Sequence, residues 1–259
     1  MEERTLLFKP KAHGFFKRSP LYVVPMFGKT LGACISYLWQ GLHGRVDKAL
    51  TDRYIDQFWR QHFQDSFTSL YVTGRELLNP NETYVFMSNH ESWMDIPAMF
   101  GAVPSSLRMV SKAGLMKIPI IGHAMANAGF IAIDRRNRRR AIRQLDEAKE
   151  RLAEGISVWI APEGTRTRDG IIGPFKRGGF YLAKQLKKSI VPVFIEGAAQ
   201  VMPADGIMVN ANQCITVHFC KPISASTFDG MDTVETVDMV RAAIIAKQKE
   251  SLSIAKGAQ

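Results

Sequence analysis

Short apolar runs alternate with helical segments from residue 70 onward, and this alternation most constrains what the chain can fold into. The runs are rich in β-branched and aromatic residues, as strands are. They predict strands over residues 70–73, 84–88, 108–111, 130–134, 157–161, 190–196 and 215–220. Helices are predicted between residues 134 and 157 and over residues 180–186. Such alternation is typical of an α/β domain with a mixed sheet of about seven strands flanked by helices.

The first 67 residues lack this alternation, and we expect them to form a helical, membrane-associating segment in front of an α/β domain at residues 68–259. Residues 46–67 show an amphipathic helical pattern in which Tyr54, Phe58 and other apolar residues recur at helical spacing. Their apolar stripe is interpreted as packing on the first helix or on the core.

Residues 19–44 are the most apolar stretch of the chain. Lys29 interrupts them and leaves an uncharged run of only 15 residues, 30–44, whereas a spanning helix needs about 20. A monotopic segment lying in the membrane interface is therefore favoured over a spanning helix, with packing on the main domain as a further alternative. Lys9, Lys11, Lys17 and Arg18 would meet anionic headgroups, and Leu21, Tyr22, Val23, Phe27, Leu31, Ile35, Leu38 and Trp39 would enter the acyl boundary.

The formal charge of +10, from 34 basic and 24 acidic residues, favours an anionic partner such as a membrane, a nucleic acid or a phosphorylated small molecule. The densest basic run, residues 135–143, is interpreted either as a solvated helix face or as an anion contact. No zinc-finger spacing or RNA-binding aromatic motif is present, so no nucleic-acid partner is expected. Three cysteines cannot form a disulfide framework, which favours a reducing, cytosol-facing environment.

A histidine motif directly follows the predicted strand 84–88. In Asn89-His90-Glu91-Ser92-Trp93-Met94-Asp95 the histidine sits at the carboxyl end of a strand, where α/β proteins bind ligands. Asp95 is close enough along the chain to turn back and accept the imidazole N–H, which leaves the other ring nitrogen as a base. Ser92 is interpreted as structural, with a nucleophilic role as the alternative.

Three more blocks accompany this motif. Residues 161–166, which read Ala-Pro-Glu-Gly-Thr-Arg, follow a strand and offer an arginine, a hydroxyl and backbone N–H groups to a phosphate oxyanion. Residues 129–135 form a predicted strand that ends in an Asp-Arg pair. Residues 189–193 form an apolar strand whose Pro192 predicts an edge position or a bulge.

In this order the four blocks resemble the motifs of the glycerolipid acyltransferases, in particular the PlsC-type 1-acylglycerol-3-phosphate acyltransferases. His90 and Asp95 match the family's N-H-x4-D motif, and Glu163 to Arg166 match its E-G-T-R motif. The resemblance implies transfer of a fatty acyl group from acyl-CoA or acyl carrier protein to the sn-2 hydroxyl of lysophosphatidic acid. The product would be phosphatidic acid, an intermediate of phospholipid biosynthesis.

The resemblance also implies roles for single residues. His90 would be the general base of a direct transfer without a covalent intermediate, Asp95 would orient it, and Lys112 would stabilise the oxyanion. The acceptor's phosphate and glycerol would be bound by Arg135, Glu163, Gly164, Thr165 and Arg166. No metal and no cofactor beyond the acyl donor are implied, and the enzyme is expected at the cytoplasmic face of the cell membrane. Another lysolipid or glycerol 3-phosphate as acceptor, and a non-catalytic lipid-binding module, remain alternatives.

Overall fold

A computed structural model describes residues 4–12, 14–133 and 155–257. The strands are β1 (Thr5–Phe8), β2 (Arg18–Ser19), β3 (Ser69–Thr73), β4 (Val85–Ser88), β5 (Leu107–Lys112), β6 (Ile131–Ile133), β7 (Ser157–Ile160), β8 (Ile190–Glu196), β9 (Val209–Asn210) and β10 (Cys214–Phe219). The α-helices are α1 (Val23–Leu42), α2 (Lys48–Asp65), α3 (Asp95–Ala102), α4 (Ile121–Asn127), α5 (Gly178–Leu186), α6 (Ala198–Val201), α7 (Ala225–Phe228) and α8 (Thr233–Gly257). Short 3-10 helices cover Pro20–Tyr22, Arg75–Leu77 and Ala113–Lys117.

The main sheet is mixed, as the alternating pattern predicts. Within the described residues its order is β1-β3-β10-β8-β4-β7-β5-β6, and β2 pairs separately with β9. The neighbouring strands β8-β4-β7-β5-β6 all run parallel to one another. In contrast, β10 is antiparallel to β8 and β1 is antiparallel to β3. All seven predicted strands form within a residue or so of their predicted bounds, except that residue 134 lies outside the described residues. The helix predicted between residues 134 and 157 also lies outside them, apart from its last two positions.

Two expectations need correction. Thr5–Phe8 is a strand paired with β3, so the N-terminal segment is not wholly helical. Pro192 does not mark an edge or a bulge, because β8 lies inside the sheet between β10 and β4. The last residues paired between β8 and β10 are Val193 and Phe219, and Pro192 lies directly beyond them. The Pro192 carbonyl accepts the N–H of Cys220 at 2.9 Å. Because proline has no N–H, the ladder between β8 and β10 lacks only the one hydrogen bond that this group would donate at its end.

Helices cover both faces of the sheet and bury a separate apolar cluster on each. Alternate residues of β8 divide between the two clusters, with Val191 and Val193 on one side and Ile190 and Phe194 on the other. α2 and α3 pack on the first face, and α5 and α8 pack on the second. The result is a three-layer α/β sandwich with the sheet in the middle.

The first two helices form a hairpin on the first face. The Asp47 carboxylate caps the N-terminus of α2 by accepting the Leu50 N–H at 2.6 Å. A hydrogen bond of 2.8 Å between the hydroxyls of Tyr37 and Thr51 joins the two helices. Trp59 and Phe63 are buried in the core, so the prediction that the apolar stripe of α2 packs is confirmed. The division of the chain at residue 67 stays a prediction.

The segment Pro20–Leu42 is, within the described part of the chain, the one helix long and apolar enough to cross a membrane. One side of α1 packs against α2 and α4. Its remaining surface carries a row of exposed apolar side chains spaced three or four residues apart: Leu21, Val24, Phe27, Leu31, Ile35, Trp39 and Leu42. The helix therefore has one face bound to protein and one apolar face open.

Parallel strands bring three chain segments to one edge of the sheet. β4, β7 and β5 are neighbours in this order, and all three run in the same direction. At their carboxyl ends β4 leads to His90, β7 leads to Ala161, and β5 ends at Lys112. The sequence blocks that follow these strands thus meet in space, at the edge where open α/β sheets bind ligands.

Candidate active site

His90 and Asp95 form a hydrogen-bonded pair. The Nδ1 atom of His90 lies 2.7 Å from the Oδ2 atom of Asp95, which also accepts the backbone N–H groups of Glu91 and Ser92 at 2.9 Å each. Asp95 is buried and begins α3, where a helix N-terminus favours a negative charge. An ionised carboxylate only accepts, so His90 carries its proton on Nδ1 and keeps Nε2 free.

The histidine loop, residues 89–94, is fixed by the loop that follows β7. The Oε1 atom of Glu163 accepts the His90 N–H at 3.0 Å, and the His90 carbonyl accepts the Thr167 N–H at 2.8 Å. The Oε2 atom of Glu163 accepts the Gly173 N–H at 2.9 Å. Glu163 is buried and both of its oxygens accept backbone N–H groups, so its observed role is to brace the histidine loop.

Asn89 and Ser92 also hold the histidine loop. The side chain of Asn89 bonds the backbone of Ile195 twice, through Nδ2 to the carbonyl at 2.9 Å and through Oδ1 from the N–H at 2.8 Å. The Ser92 hydroxyl is fully buried, donates to the Met202 carbonyl at 2.6 Å and accepts the Met94 N–H at 3.0 Å. Ser92 is therefore structural, and the geometry does not favour the alternative of a nucleophilic serine.

A cavity of about 340 Å³ opens beside His90. Lys112, Thr165 and Arg166 line it, and the side chains of all three are exposed. Within the described residues, neither Lys112 nor Arg166 forms a salt bridge, so both cations are available to an anionic ligand. Arg135, the remaining predicted phosphate ligand, lies outside the described residues.

Gly164 shapes this part of the cavity. Its φ of +74° is in the left-handed region that favours glycine. A Cβ atom at this position would lie 2.8 Å from the Nζ atom of Lys176, whose side chain runs across the glycine. A larger residue would therefore strain the loop and displace the lysine.

Two carboxyl groups beside the pair have perturbed acidities. Burial raises the pKa of Glu91 above its ordinary value, and the nearby Asp95 charge adds to this shift. Burial likewise raises the pKa of Glu163, although the N–H donors of Gly173 and His90 oppose the shift. Keeping these two groups ionised next to Asp95 therefore costs free energy.

A second, almost wholly apolar cavity of about 170 Å³ lies between the N-terminal hairpin and the sheet. Phe27 and Cys34 of α1, Ile55 and Phe58 of α2 and residues of α4 are among those that line it. It shares four lining residues with the cavity beside His90, namely Trp93, Ile96, Met109 and Leu115. His90 thus lies where a polar cavity adjoins an apolar one.

Sequence reasoning missed several parts of this site. Trp159 lines the polar cavity, donates its Nε1–H to the Ser88 hydroxyl at 3.0 Å and presents its ring at 87° to that of His90. The tryptophan stands in a predicted strand next to the E-G-T-R block, which was the available signal. The apolar cavity gave no such signal, because its walls come from segments distant in the sequence.

Known proteins that are similar to this chain are acyltransferases. A family model described as Acyltransferase matches residues 69–196. A chloroplastic 1-acyl-sn-glycerol-3-phosphate acyltransferase of Arabidopsis thaliana is 34% identical over 179 residues, which cover 68% of this chain and 49% of that protein. The enzyme named 1-acyl-sn-glycerol-3-phosphate acyltransferase in Saccharomyces cerevisiae is 32% identical over 183 residues, or 69% of this chain and 59% of that protein. The chain thus spans about half to three-fifths of the length of these relatives.

The crystal structure of the 1-acyl-sn-glycerophosphate acyltransferase PlsC from Thermotoga maritima has the same fold. It superposes with a TM-score of 0.70 at 24% identity, covering 89% of this chain and 93% of that one. The human 1-acyl-sn-glycerol-3-phosphate acyltransferase alpha is 30% identical over 187 residues, 72% of this chain and 66% of that protein. The predicted resemblance is confirmed: the chain belongs to the acyltransferase family that contains the 1-acyl-sn-glycerol-3-phosphate acyltransferases.

Proposed function

We propose that this protein transfers a fatty acyl group from a thioester donor to the sn-2 hydroxyl of 1-acylglycerol 3-phosphate, which yields phosphatidic acid. The observation that carries the proposal is the His90–Asp95 pair, which faces a cavity lined by two cations, Lys112 and Arg166. A base, a phosphate-binding group and an adjoining apolar cavity are the three elements that this reaction needs. Acyl-CoA and acyl carrier protein are both acidic thioester donors suited to a basic protein.

His90 acts as the general base. Its Nε2 atom takes the proton of the acceptor hydroxyl while that oxygen bonds to the thioester carbonyl carbon. When the tetrahedral intermediate collapses, the carbon–sulfur bond breaks and the departing thiolate takes the proton from His90. Asp95 holds the ring and stabilises the imidazolium that forms between these steps. No covalent acyl-enzyme is needed.

Two cationic side chains stabilise negative charges on the substrates. Lys112 stabilises the oxyanion that develops on the thioester carbonyl, together with backbone N–H groups near Gly164. Arg166 binds the acceptor phosphate, for which a planar guanidinium offers paired donors, and Thr165 adds a hydroxyl. Arg135 is a further proposed phosphate ligand, from its place in the family's second motif. Glu163 contributes by bracing His90.

The apolar cavity receives an acyl chain. A fatty acyl thioester must place its carbonyl beside His90 and its hydrocarbon in a site without polar groups. The cavity between α1, α2 and α4 meets this requirement, because it adjoins the polar cavity at Trp93 and Met109. Its depth would then limit the length of the transferred chain.

The enzyme works at a membrane surface. The exposed apolar row of α1 enters the acyl boundary at the cytoplasmic face, and the basic residues before α1 meet anionic headgroups. A monotopic placement is preferred to a spanning one because α1 packs against α2 and α4 along one side. Both the acceptor and the product are lipids that reside in this surface.

An acceptor panel tests the proposal. One labelled acyl-CoA is supplied with lysophosphatidic acid, lysophosphatidylglycerol, lysophosphatidylcholine or glycerol 3-phosphate, and the products are identified by mass spectrometry. We expect phosphatidic acid as the main product. Preferential acylation of a different acceptor would reassign the substrate, and binding of these lipids without turnover of any thioester would identify a lipid-binding module instead.

A further inference from the structure

Arg241 of the long helix α8 holds the loop that follows β7. Its Nε atom donates to the Gly173 carbonyl at 2.8 Å, and its Nη2 atom donates to the Ile172 carbonyl at 2.5 Å. Val240 and Ile244, on the same helix, are fully buried in the apolar cluster of the second sheet face. The helix that carries the guanidinium is therefore firmly packed, and it presents paired donors to two successive carbonyls.

One peptide group of this loop is hydrogen-bonded on both sides. The carbonyl between Ile172 and Gly173 accepts from Arg241, and the N–H of the same peptide group donates to the Oε2 atom of Glu163 at 2.9 Å. Because the guanidinium is always charged, it polarises this peptide group and strengthens its N–H as a donor. Glycine at position 173 permits the close approach, since a Cβ atom there would lie 3.2 Å from Oε2.

Glu163 links this peptide group to His90. Its other oxygen, Oε1, accepts the His90 N–H at 3.0 Å. Burial raises the pKa of Glu163, and the strongest of the contacts that oppose this shift is the N–H of Gly173. We call the bonds from Arg241 through the 172–173 peptide and Glu163 to His90 the Arg241 relay. A relay of this kind supplies positive charge to a buried carboxylate without a direct ion pair.

A second side chain of α8 holds the same loop outside the Arg241 relay. Gln248, about two turns after Arg241, donates from Nε2 to the Gly170 carbonyl at 2.9 Å. The N–H of that peptide group, which belongs to Ile171, donates to the Oδ1 atom of the exposed Asp169 at 3.1 Å. The helix thus ties the loop at two similar points, of which one leads to His90 and the other to a surface carboxylate.

We propose that Arg241 is a positioning residue for His90, acting through the 172–173 peptide and the carboxylate of Glu163. It keeps this carboxylate ionised and in place, so that the backbone of His90 is fixed and the Nε2 base keeps its orientation toward the polar cavity. The catalytic consequence rests on the function proposed above, whereas the coupling between Arg241 and Glu163 does not. The C-terminal helix thereby supports catalysis, although Arg241 lies outside the four sequence blocks and does not line the cavity.

The test is a double-mutant cycle between Arg241→Met and Glu163→Gln, measured both in the initial rate of acyl transfer and in urea unfolding. Two single variants are matched controls. Gln248→Met removes the neighbouring bond of α8 to this loop, and Lys249→Met removes an exposed positive charge from the same helix. Arg241→Lys retains the charge and a donor for the Ile172 carbonyl.

Arg241→Met should lower kcat by about ten- to a hundredfold, as expected when a catalytic group is displaced, with the KM values of acceptor and donor nearly unchanged. In the Glu163→Gln background the same substitution should have a much smaller effect on both kcat and stability, because the Arg241 relay is already broken. Arg241→Lys should recover part of the lost rate, and both controls should keep the wild-type kcat.

Additive effects of Arg241→Met and Glu163→Gln overturn the proposal, and so does an equal loss of kcat in Gln248→Met, because either result reduces α8 to a general support of the loop. If Arg241→Met does not fold, Arg241→Lys replaces it in the cycle and is judged by the same two outcomes. If the substitutions are coupled in unfolding but the wild type acylates no acceptor, only the proposed function fails.

Discussion

At the scale of single residues, the position of His90 is set by hydrogen bonds to its backbone as well as to its ring. Glu163 accepts its backbone N–H, Thr167 donates an N–H to its carbonyl, and Asp95 is hydrogen-bonded to its Nδ1 atom. The spacing of His90 and Asp95 on the chain predicted this pair, because a tight turn after a strand leaves few other geometries. The bracing role of Glu163 was not predictable, since it depends on how closely two loops from neighbouring strands approach.

The substitution Asp95→Asn tests how the pair works. The new amide retains the size of the carboxylate but loses the charge that stabilises the imidazolium, so kcat should fall by roughly 10²–10⁴-fold. The KM for the acceptor should change little, because Asp95 does not line the cavity. Stopped assays of initial rate provide the measurement, with the exposed Asp229→Asn as the control. A kcat near the wild-type value would rule out electrostatic support by Asp95.

The raised pKa of Glu91 predicts a pH-dependent stability. Because the folded state binds this proton more tightly than the unfolded state, the contribution of Glu91 to stability is complete below its ordinary pKa of 4.5. It is lost as the pH rises through the higher folded-state pKa. The free energy of unfolding of Glu91→Gln, measured against that of the wild type, should therefore be higher at about pH 8 than at about pH 4. Urea unfolding at both pH values measures the difference, with Glu76→Gln, a substitution of an exposed glutamate, as the control variant.

At the scale of elements, periodicity predicted the strands because each is a compact apolar run bounded by turn residues. β1 escaped prediction because its four residues belong to the sheet only through pairing with β3, more than 60 positions further along the chain. The position of β8 also depends on such distant pairing, which explains why Pro192 was misread as an edge residue. The apolar cavity between α1, α2 and the sheet escaped prediction for the same reason.

Narrowing the apolar cavity should change the choice of acyl donor. Cys34 of α1 lines this cavity, whereas Cys214 is exposed at the start of β10. Cys34→Phe should fill part of the cavity and lower the ratio of long-chain to short-chain acyl-CoA turnover, with the acceptor KM unchanged. Competition between acyl-CoA species, read out by product mass spectrometry, measures this ratio. If Cys34→Phe and Cys214→Phe have the same preference as the wild type, the acyl chain binds elsewhere.

At the scale of the whole molecule, the structure shows where the basic residues behind the net charge of +10 lie. Lys112 and Arg166 line the polar cavity, and Lys9, Lys11, Lys17 and Arg18 are exposed in the segment that precedes α1. Composition alone predicted an anionic partner without saying which. The separation into a proposed substrate-binding set and a proposed membrane-binding set depends on the fold, because it requires knowing which cations line the cavity.

Vesicle binding should depend on salt and on lipid charge. The Debye length falls from about 10 Å at 0.1 M salt to about 3 Å at 1 M, so exposed cations lose most of their attraction to headgroups over this range. Affinity for vesicles with phosphatidylglycerol should fall steeply with added salt, whereas the weaker affinity for pure phosphatidylcholine should hardly change. Flotation across a salt series measures both. Equal, salt-independent binding to the two vesicles would leave the basic N-terminal residues without a membrane role.

The most direct measurement is the initial rate of phosphatidic acid formation from lysophosphatidic acid and acyl-CoA by the wild type and by His90→Ala. His90→Ala should fold normally, as far-UV circular dichroism and thermal unfolding would report, because His90 lies at a strand end beside a cavity. The wild type should form phosphatidic acid, and His90→Ala should lose roughly 10²–10⁴-fold in kcat. A folded His90→Ala enzyme with a near-normal rate would contradict general-base catalysis by this histidine.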